Sequence, residues 1–148
     1  MEERIWNIYL SGEIHSDWRE RITEGSEGLP VKFSSPVTDH EASDMCGAEI
    51  LGAEDLDFWR DRKGAGINSI RTNTLIQGSD IVIVRFGAKY KQWNAAFDAG
   101  YASALGIPVI TLHDPEHDHA LKEVDAAARA TARTPEQVVE ILRYVILK

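Results

Sequence analysis

Asp98 is the residue whose position in the sequence most clearly suggests chemistry. It lies in a helical pattern over residues 92–105, between two apolar runs at residues 81–84 and 107–112. In an open parallel sheet, the loop after a strand and the start of the next helix form the ligand crevice. A carboxylate in that position can act as a nucleophile toward a small molecule. Helix statistics alone favour the other interpretation, a solvated carboxylate on the helix surface.

The helix that carries Asp98 has three kinds of side chain. Trp93, Phe97 and Tyr101 recur at helical spacing and form an apolar stripe. Asn94 precedes Asp98 by four residues, so the two side chains share a neighbouring stripe. The other positions are mostly small, which would let a neighbour approach the helix backbone closely: Ala95, Ala96, Ala99, Gly100, Ala102 and Ser103.

A second group of polar residues follows the first strand candidate, residues 5–10. Tyr9, Ser11, Gly12, Glu13 and His15 would lie at the carboxyl end of that strand, where a ligand crevice forms. Gly12 would let the backbone approach a ligand, although a glycine that only completes a turn fits equally well. For Glu13 and His15 the default is a solvated position at the entry to the next helix. That helix is expected to have Ser16 as its N-cap.

Alternating strand and helix patterns predict an α/β fold. Strands are expected at residues 5–10, 31–34, 81–84, 107–112 and 129–132, and four consecutive β-branched residues at 81–84 indicate burial on both faces. We predict a doubly wound, five-stranded parallel sheet in the order 2-1-3-4-5, with three α/β/α layers. Residues 41–66 are expected to be a loop with short helices over the crevice, followed by a helix at 67–77. A last helix should begin after the N-cap Thr134, and residues 113–119 should form a solvated loop.

Composition limits the possible functions. The 148 residues favour one domain over 1–148, and a net charge of −8 without a basic stripe argues against binding a nucleic-acid polymer. No apolar run is long enough to cross a membrane and Cys46 is the only cysteine, so we expect a cytoplasmic protein. Residues 39–46 contain possible metal ligands without tight spacing, and no phosphate-binding glycine motif is present. We therefore predict no metal site and no cofactor.

Three stretches resemble the nucleoside 2-deoxyribosyltransferases. Residues 96–109 are similar to the signature A-x-E-x-G-Y-A-x-A-L-G-K-P-V of that family, and residues 78–80 resemble its A-D-x-V-V. Residues 8–12, which read Ile-Tyr-Leu-Ser-Gly, resemble its Y-L-A-G. The segments 11–15 and 98–102 look most like the YtoQ-type branch. The resemblance covers most of the chain in the same order.

The resemblance implies a flavodoxin-like sheet and chemistry at an N-glycosidic bond. The nucleophilic glutamate of the signature falls on Asp98, and the aromatic hydroxyl that orients it falls on Tyr9. Aspartate is shorter than glutamate by about one C–C bond, roughly 1.5 Å. The family usually has an aspartate six residues before its glutamate, where this chain has Gln92. Arg85, Phe86 and Gly87 occupy the place of its acidic residue after the third strand.

The predicted activity is cleavage or transfer at the N-glycosidic bond of a nucleoside or nucleotide. Asp98 would attack the anomeric carbon and Tyr9 would hold it in line, as in retaining glycosidases. Sugar hydroxyls or a phosphate would contact the polar side chains and the backbone near Gly12, while Trp93 and Phe86 would stack on the base. The predicted substrate-binding residues are Ser11, Gly12, Glu13, Arg85, Phe86, Gly87, Gln92, Trp93 and Asn94.

Two other functions fit the same sequence. One is a non-catalytic nucleotide-binding module, and the other is a hydrolase of another ribosyl or nucleotide-sugar substrate in which Arg85 contacts a phosphate. A homo-oligomer, a dimer or larger, is implied by the resemblance, since the family completes its sites with neighbouring subunits. Trp18, Phe58 and Trp59 are the expected interface anchors, because large aromatic side chains on a surface often have that role.

Overall fold

A computed structural model describes residues 2–148 and contains five strands and six α-helices. A short 3-10 helix, Pro115–His117, lies between β4 and α5. In chain order the elements are β1 Trp6–Gly12, α1 Trp18–Gly25, β2 Val31–Ser34, α2 His40–Leu51, α3 Asp57–Gln77, β3 Ile81–Arg85, α4 Trp93–Ala104, β4 Val109–Leu112, α5 Lys122–Ala127, β5 Ala130–Ala132 and α6 Pro135–Leu147.

The strands form one parallel sheet in the order β2-β1-β3-β4-β5, which confirms the predicted topology. Side chains alternate along each strand, so the sheet has two apolar faces. Ile81 and Ile83 pack with α1 and α6 on one face, and Val82 and Val84 pack with α3 and α4 on the other. This double coverage explains the unbroken β-branched run of β3, which is the pattern of a central parallel strand.

The last helix begins as its sequence predicts. The Thr134 hydroxyl accepts a hydrogen bond from the Gln137 N–H, and Pro135 occupies the first helical position. Val138 and Leu142 of α6 are fully buried against the sheet. The N-cap prediction for α1 was wrong, because Asp17 precedes that helix and the Ser16 hydroxyl donates to Glu13 instead.

The helical hairpin α2–α3 replaces the loop with short helices that was predicted at residues 41–66. Helix α3 runs without interruption from Asp57 to Gln77, so the separate helix predicted at 67–77 is only its second half. The two helices cross at glycines: a Cβ added to Gly47 would lie 2.5 Å from the backbone nitrogen of Gly64. The hairpin therefore packs through backbone contact and needs no wide apolar stripe, which explains why the sequence pattern did not show it.

Helix α4 packs on the sheet through its small residues. Ala95, Ala99 and Ala102 are buried, whereas Trp93 is 75% exposed and Phe97 is 67% exposed. The apolar stripe of the sequence is thus an outer surface, and the alanine face allows close contact between helix and sheet. Trp18 shows the opposite error: it is 1% exposed, so the prediction that it anchors an interface was wrong.

None of the helices described within residues 2–148 is both long enough and apolar enough to span a membrane.

Candidate functional site

The candidate site lies at the carboxyl edge of the sheet, between β1 and β3. The chain leaves β1 toward α1 on one face and leaves β3 toward α4 on the other face. Divergent connections from two adjacent parallel strands open a crevice outside their carboxyl ends. The loop after β1 and the loop after β3 form its two walls.

Asp98 projects from α4 toward the end of β1. Its Oδ2 accepts a hydrogen bond of 2.7 Å from the Ser11 hydroxyl. The carboxyl group is partly buried, and this loss of solvation raises its pKa above the ordinary value, while the Ser11 hydrogen bond acts in the opposite direction. The site therefore contains a poorly hydrated carboxylate that is fixed on one side.

Tyr9 lies beneath this carboxylate and is fully buried. Burial raises the pKa of Tyr9 to about 12, and the negative charge of Asp98 adds to the rise. The Thr72 side chain is near enough to oppose this rise, but it does not reach hydrogen-bond geometry, and the Tyr9 hydroxyl has no partner within residues 2–148. The hydroxyl is a neutral donor near Asp98 that no described side chain uses.

Gly12 brings the two walls of the crevice into direct contact. Its φ of 113° is in the region that favours glycine, and a Cβ added there would lie 2.1 Å from the Arg85 carbonyl oxygen. The next residue, Glu13, donates its N–H to that same carbonyl at 3.1 Å. Gly12 is therefore required for the close pairing of β1 and β3 at the edge of the site.

Glu13 is buried, and its carboxylate is turned into its own loop. It accepts hydrogen bonds from the Ser16 hydroxyl and the His15 N–H. Burial alone would raise the pKa of Glu13, but these hydrogen bonds and the positive charge of Arg85 hold it below its usual value. A Cβ added to Gly87 would lie 2.5 Å from the Glu13 Cγ, so the two loops pack closely together.

Arg19 fixes the shape of the loop after β1. Its guanidinium donates to the backbone carbonyls of Leu10, Gly12 and Glu13 at 2.7–3.2 Å. Burial lowers the pKa of Arg19 to about 10, which leaves the group positively charged at neutral pH. Its position in the first turn of α1 gave no signal in the sequence analysis.

The remaining predicted residues line the second wall or lie behind it. Gln92 precedes α4, and its side-chain oxygen accepts from the Gly87 N–H at 2.9 Å, which closes the loop after β3. Asn94 and Trp93 are exposed on the first turn of α4. Phe86 is only 5% exposed and belongs to the core of the α4 face.

Arg85 lies on the other side of the sheet from Asp98. Ser11 pairs with Val84 and Gly12 pairs with Arg85, so strand alternation directs the Arg85 side chain toward the α1 face. Its Nε is buried without a hydrogen-bond partner among residues 2–148. The predicted set is thus divided: Tyr9, Ser11 and Asp98 meet on one face, and Arg85 does not join them.

Tyr90 is a wall residue that the sequence analysis missed. Its ring lies 4.8 Å, between centroids, from the His15 ring, and both side chains are exposed. This pair connects the loops after β1 and β3 above the buried Glu13. An exposed tyrosine between two lysines carries no distinctive pattern, so only the structure could show the contact.

His113 is fully buried, which makes the predicted solvated loop wrong at its first residue. Its Nδ1 lies 2.9 Å from the Asp114 carbonyl oxygen and its Nε2 lies 2.8 Å from an Asp125 carboxylate oxygen. A carbonyl only accepts, so Nδ1 donates to Asp114, and Nε2 faces the Asp125 carboxyl group. Thr111 adds a further hydrogen bond to Asp125 at 2.8 Å.

The same cluster contains ligand types that could bind a metal. Atoms of His113, Asp118 and Asp125 lie within 4.8 Å of one another. However, both nitrogens of His113 are already hydrogen-bonded, and Asp118 pairs with Arg133 at 2.6 Å. These groups are already paired within the protein, so we interpret the cluster as an internal hydrogen-bond network.

Comparison with known proteins supports the resemblance. The family described as nucleoside 2-deoxyribosyltransferase YtoQ matches residues 9–146. The uncharacterized protein YtoQ of Bacillus subtilis (strain 168) is 43% identical over 140 residues, which cover 93% of this chain and 95% of that protein.

Two solved structures share the fold at low sequence identity. A conserved protein from Enterococcus faecalis V583 has a TM-score of 0.58 and 14% identity, with 96% of this chain and 99% of that chain covered. A 2-deoxyribosyltransferase from Bacillus psychrosaccharolyticus has a TM-score of 0.55 and 15% identity, with 90% of both chains covered. At such identities the likeness shows the fold alone. The family match over residues 9–146 shows more, namely that this chain belongs to the nucleoside 2-deoxyribosyltransferase YtoQ family.

Proposed function

We propose that the protein breaks the N-glycosidic bond of a nucleoside or nucleotide and transfers the sugar to another base or to water. One observation carries the proposal: a partly buried carboxylate, Asp98, lies at the carboxyl edge of the sheet and is held there by Ser11. The sequence resemblance assigns the nucleophile to the same residue. Its Oδ2 is held by Ser11, while its Oδ1 accepts no hydrogen bond from residues 2–148. A carboxylate with one oxygen fixed and the other available suits attack on a carbon atom.

The reaction proceeds in two displacements. Asp98 Oδ1 attacks the anomeric carbon as the bond to the base nitrogen breaks. The departing base keeps the electron pair of that bond and takes a proton from water, and the acceptor of the second step returns one to water. The resulting glycosyl ester is then attacked on the opposite side by a second base or by water, which restores the carboxylate. Both steps pass through an oxocarbenium-like transition state, and the sugar keeps its anomeric configuration.

Burial is what destabilises the ionised form of Asp98. Burial deprives the carboxylate of part of its water shell, which raises its pKa and leaves a more reactive nucleophile when ionised. The Tyr9 hydroxyl keeps its proton at neutral pH because burial raises its pKa to about 12. It can therefore act only as a neutral donor, toward Asp98 or toward the sugar.

Substrate contacts would come from the walls of the crevice. The space beside Gly12 is taken by the Arg85 carbonyl, so the predicted ligand approach at this glycine was wrong. Asn94 offers an exposed amide on α4, one turn before Asp98. Trp93 has the exposed ring that stacking on a base requires, at 75% exposure. Phe86 is buried in the core, so the proposal assigns stacking to Trp93 alone.

A second copy of the chain is the proposed partner. Trp93 and Phe97 extend an exposed aromatic stripe along α4, directly beside the crevice. Burial of such a stripe against another subunit would remove apolar surface from water. It would also shield the glycosyl intermediate from hydrolysis and so favour transfer.

Product analysis tests the activity. The protein is incubated with a panel of nucleosides and nucleoside monophosphates, with and without free bases, and the released or exchanged bases are separated by chromatography. We expect base release or exchange for at least one substrate, and its loss in Asp98→Asn, which is isosteric but a poor nucleophile. Asp61→Asn is the matched control, because Asp61 is an exposed helical aspartate on α3.

Two results would contradict the proposal. Tight binding of a nucleotide by the wild-type protein, without any product, would indicate the non-catalytic module. Product formation that is unchanged in a folded Asp98→Asn variant would exclude Asp98 as the nucleophile. A third result, a product that forms only from phosphorylated substrates, would indicate a hydrolase or transferase that is specific for nucleotides.

A further inference from the structure

We propose that Arg71 on α3 binds the phosphate of a nucleoside 5′-monophosphate, so that the crevice takes a nucleotide in preference to a free nucleoside. The inference rests on the proposed function and deepens it, because it names the substrate class of the same site. It places the phosphate against a third wall, which α3 and the loop after β2 form. Arg85, the arginine that the sequence suggested for a phosphate, lies on the other side of the sheet from Asp98.

Arg71 lies near the mouth of the crevice, on the face of the sheet that carries Asp98. Helices α3 and α4 both pack on this face and both run toward its amino edge, where the Gln77 side chain donates a hydrogen bond to the Tyr101 hydroxyl. Arg71 precedes Gln77 by six residues, a rise of about 9 Å toward the carboxyl edge. Asp98 precedes Tyr101 by three residues, a rise of about 4.5 Å. Arg71 is therefore about one helical turn nearer the carboxyl edge than Asp98.

A hydrogen bond holds the Arg71 guanidinium at the crevice. Its Nη1 donates to the Ser35 carbonyl oxygen at 2.8 Å. Ser35 directly follows β2, whose last residue, Ser34, pairs with Tyr9 of β1. The guanidinium is thus held beside the strand that ends at the candidate site. Burial raises the pKa of Tyr9 to about 12, and the positive charge of Arg71 is near enough to oppose that rise.

The Arg71 guanidinium has no acidic partner and keeps most of its donors available. The side chain is exposed, and no carboxylate lies within 4.0 Å of it among residues 2–148. Its Nε and Nη2 donate to no atom of that part of the chain. Arg4, Arg21 and Arg133, in contrast, each pair with a carboxylate. A guanidinium held through one nitrogen presents the rest of its planar fork to a ligand, and phosphate oxygens accept two parallel hydrogen bonds from such a fork.

The facing wall of the crevice adds positive charge. Lys89 and Lys91 are exposed in the loop after β3, and neither forms an ion pair within residues 2–148. Against Arg71 and these two lysines stand two carboxylates, Asp98 and Glu13, and Glu13 is turned into its own loop. The mouth is therefore positive in a chain whose net charge is −8, and such a field raises the local concentration of anions. A nucleoside carries no charge for this field to attract, whereas its monophosphate does.

The binding of matched ligands tests the assignment without turnover. Each pair of ligands is a 2′-deoxynucleoside and its 5′-monophosphate, and Kd is measured by calorimetry with Asp98→Asn as the background in every protein. We expect the monophosphate to bind at least about tenfold more tightly than the nucleoside. Arg71→Ala should weaken monophosphate binding by about 10- to 100-fold, as loss of a hydrogen bond between charged groups does, and should leave the nucleoside Kd within about twofold. Arg71→Lys keeps the charge without the fork, so its loss should be smaller.

Arg62→Ala is the matched control, because Arg62 is exposed on the same helix and makes no hydrogen bond or ion pair within residues 2–148. It should leave both affinities unchanged. Equal effects of Arg71→Ala on nucleoside and monophosphate, or no monophosphate binding in the first place, would overturn the assignment. A loss confined to the monophosphate, while the wild type forms no product from any substrate, would uphold the phosphate contact and refute the proposed reaction. Turnover of nucleosides that is as fast as that of monophosphates and insensitive to Arg71→Ala would uphold the reaction and refute the phosphate contact.

Discussion

Gly12→Ala offers a quantitative test of how the crevice is built. The methyl group would lie 2.1 Å from the Arg85 carbonyl oxygen, about 1.3 Å less than the 3.4 Å at which ordinary contact begins. Gly12 lies at the end of β1 and Arg85 at the end of β3, and a backbone carbonyl cannot rotate away as a side chain can. The two strands must therefore separate at this point. Separation would break the hydrogen bond from Glu13 N–H to the same carbonyl, worth about 1 kcal/mol. The positive φ adds about 1–2 kcal/mol for a residue with a Cβ.

We therefore expect Gly12→Ala to lower the free energy of unfolding by about 2–4 kcal/mol once steric displacement is included. Gly28→Ala is the matched control, because Gly28 has a φ of 89° with no atom within 4 Å of an added Cβ. Its strain is partly offset by the lower entropy of the unfolded chain, so we expect a cost of about 1 kcal/mol. Urea unfolding followed by circular dichroism measures both variants. Equal destabilisation of the two would show that the contact with Arg85 does not govern the role of Gly12.

Two further predictions concern charge and assembly. Folding raises the pKa of Asp98, so the ionised carboxylate destabilises the folded protein at a pH above that pKa. Asp98→Asn should therefore raise Tm at pH 7. The gain in Tm should vanish as the pH falls below about 4, because the carboxyl group is then protonated in the unfolded chain as well. Asp118→Asn is the control and should lower Tm in the same thermal scans, because the hydrogen bond from Arg133 stabilises the ionised carboxylate and lowers the pKa of Asp118. A higher Tm for Asp118→Asn, or a lower Tm for Asp98→Asn, would contradict the assignment. Light scattering at micromolar concentration should give the mass of a dimer or a larger oligomer. Phe97→Ser should shift that mass toward the 16.5 kDa monomer, because Phe97 is exposed on the aromatic stripe. A monomeric wild type would rule out the aromatic stripe as a subunit contact.

The sequence was sufficient for the parts of the fold that depend on local pattern. The buried run of β3 predicted a central parallel strand, and Thr134 with Pro135 predicted the start of α6; both are present. The strand order agrees with the flavodoxin-like sheet that the family resemblance implies. These signals are readable because each one reports burial or capping within a few adjacent residues.

The errors came from contacts between distant residues. The α2–α3 hairpin packs through Gly47 and Gly64. In a sequence these glycines suggest that a helix is interrupted, but in the structure they let the two helix backbones approach closely. His113 appeared solvated among acidic neighbours, yet its environment depends on Asp125, twelve residues away. In the candidate site, Asp98 and Ser11 were both chosen from the sequence, but the hydrogen bond between them was not, because no local pattern connects residues 87 positions apart.

The hydrogen bonds from Arg19 to the loop after β1 have a consequence for the order of folding. Its three carbonyl partners are only six to nine residues away in sequence, so β1, the loop and α1 can assemble as a local unit. Contacts of such short range cost little loop-closure entropy and can form early. The contact between Ser11 and Asp98 must wait for α4 to dock on the sheet. During refolding, α1 and the loop after β1 should therefore form before α4 docks, and the amides of α1 should gain protection from hydrogen exchange ahead of those in α4.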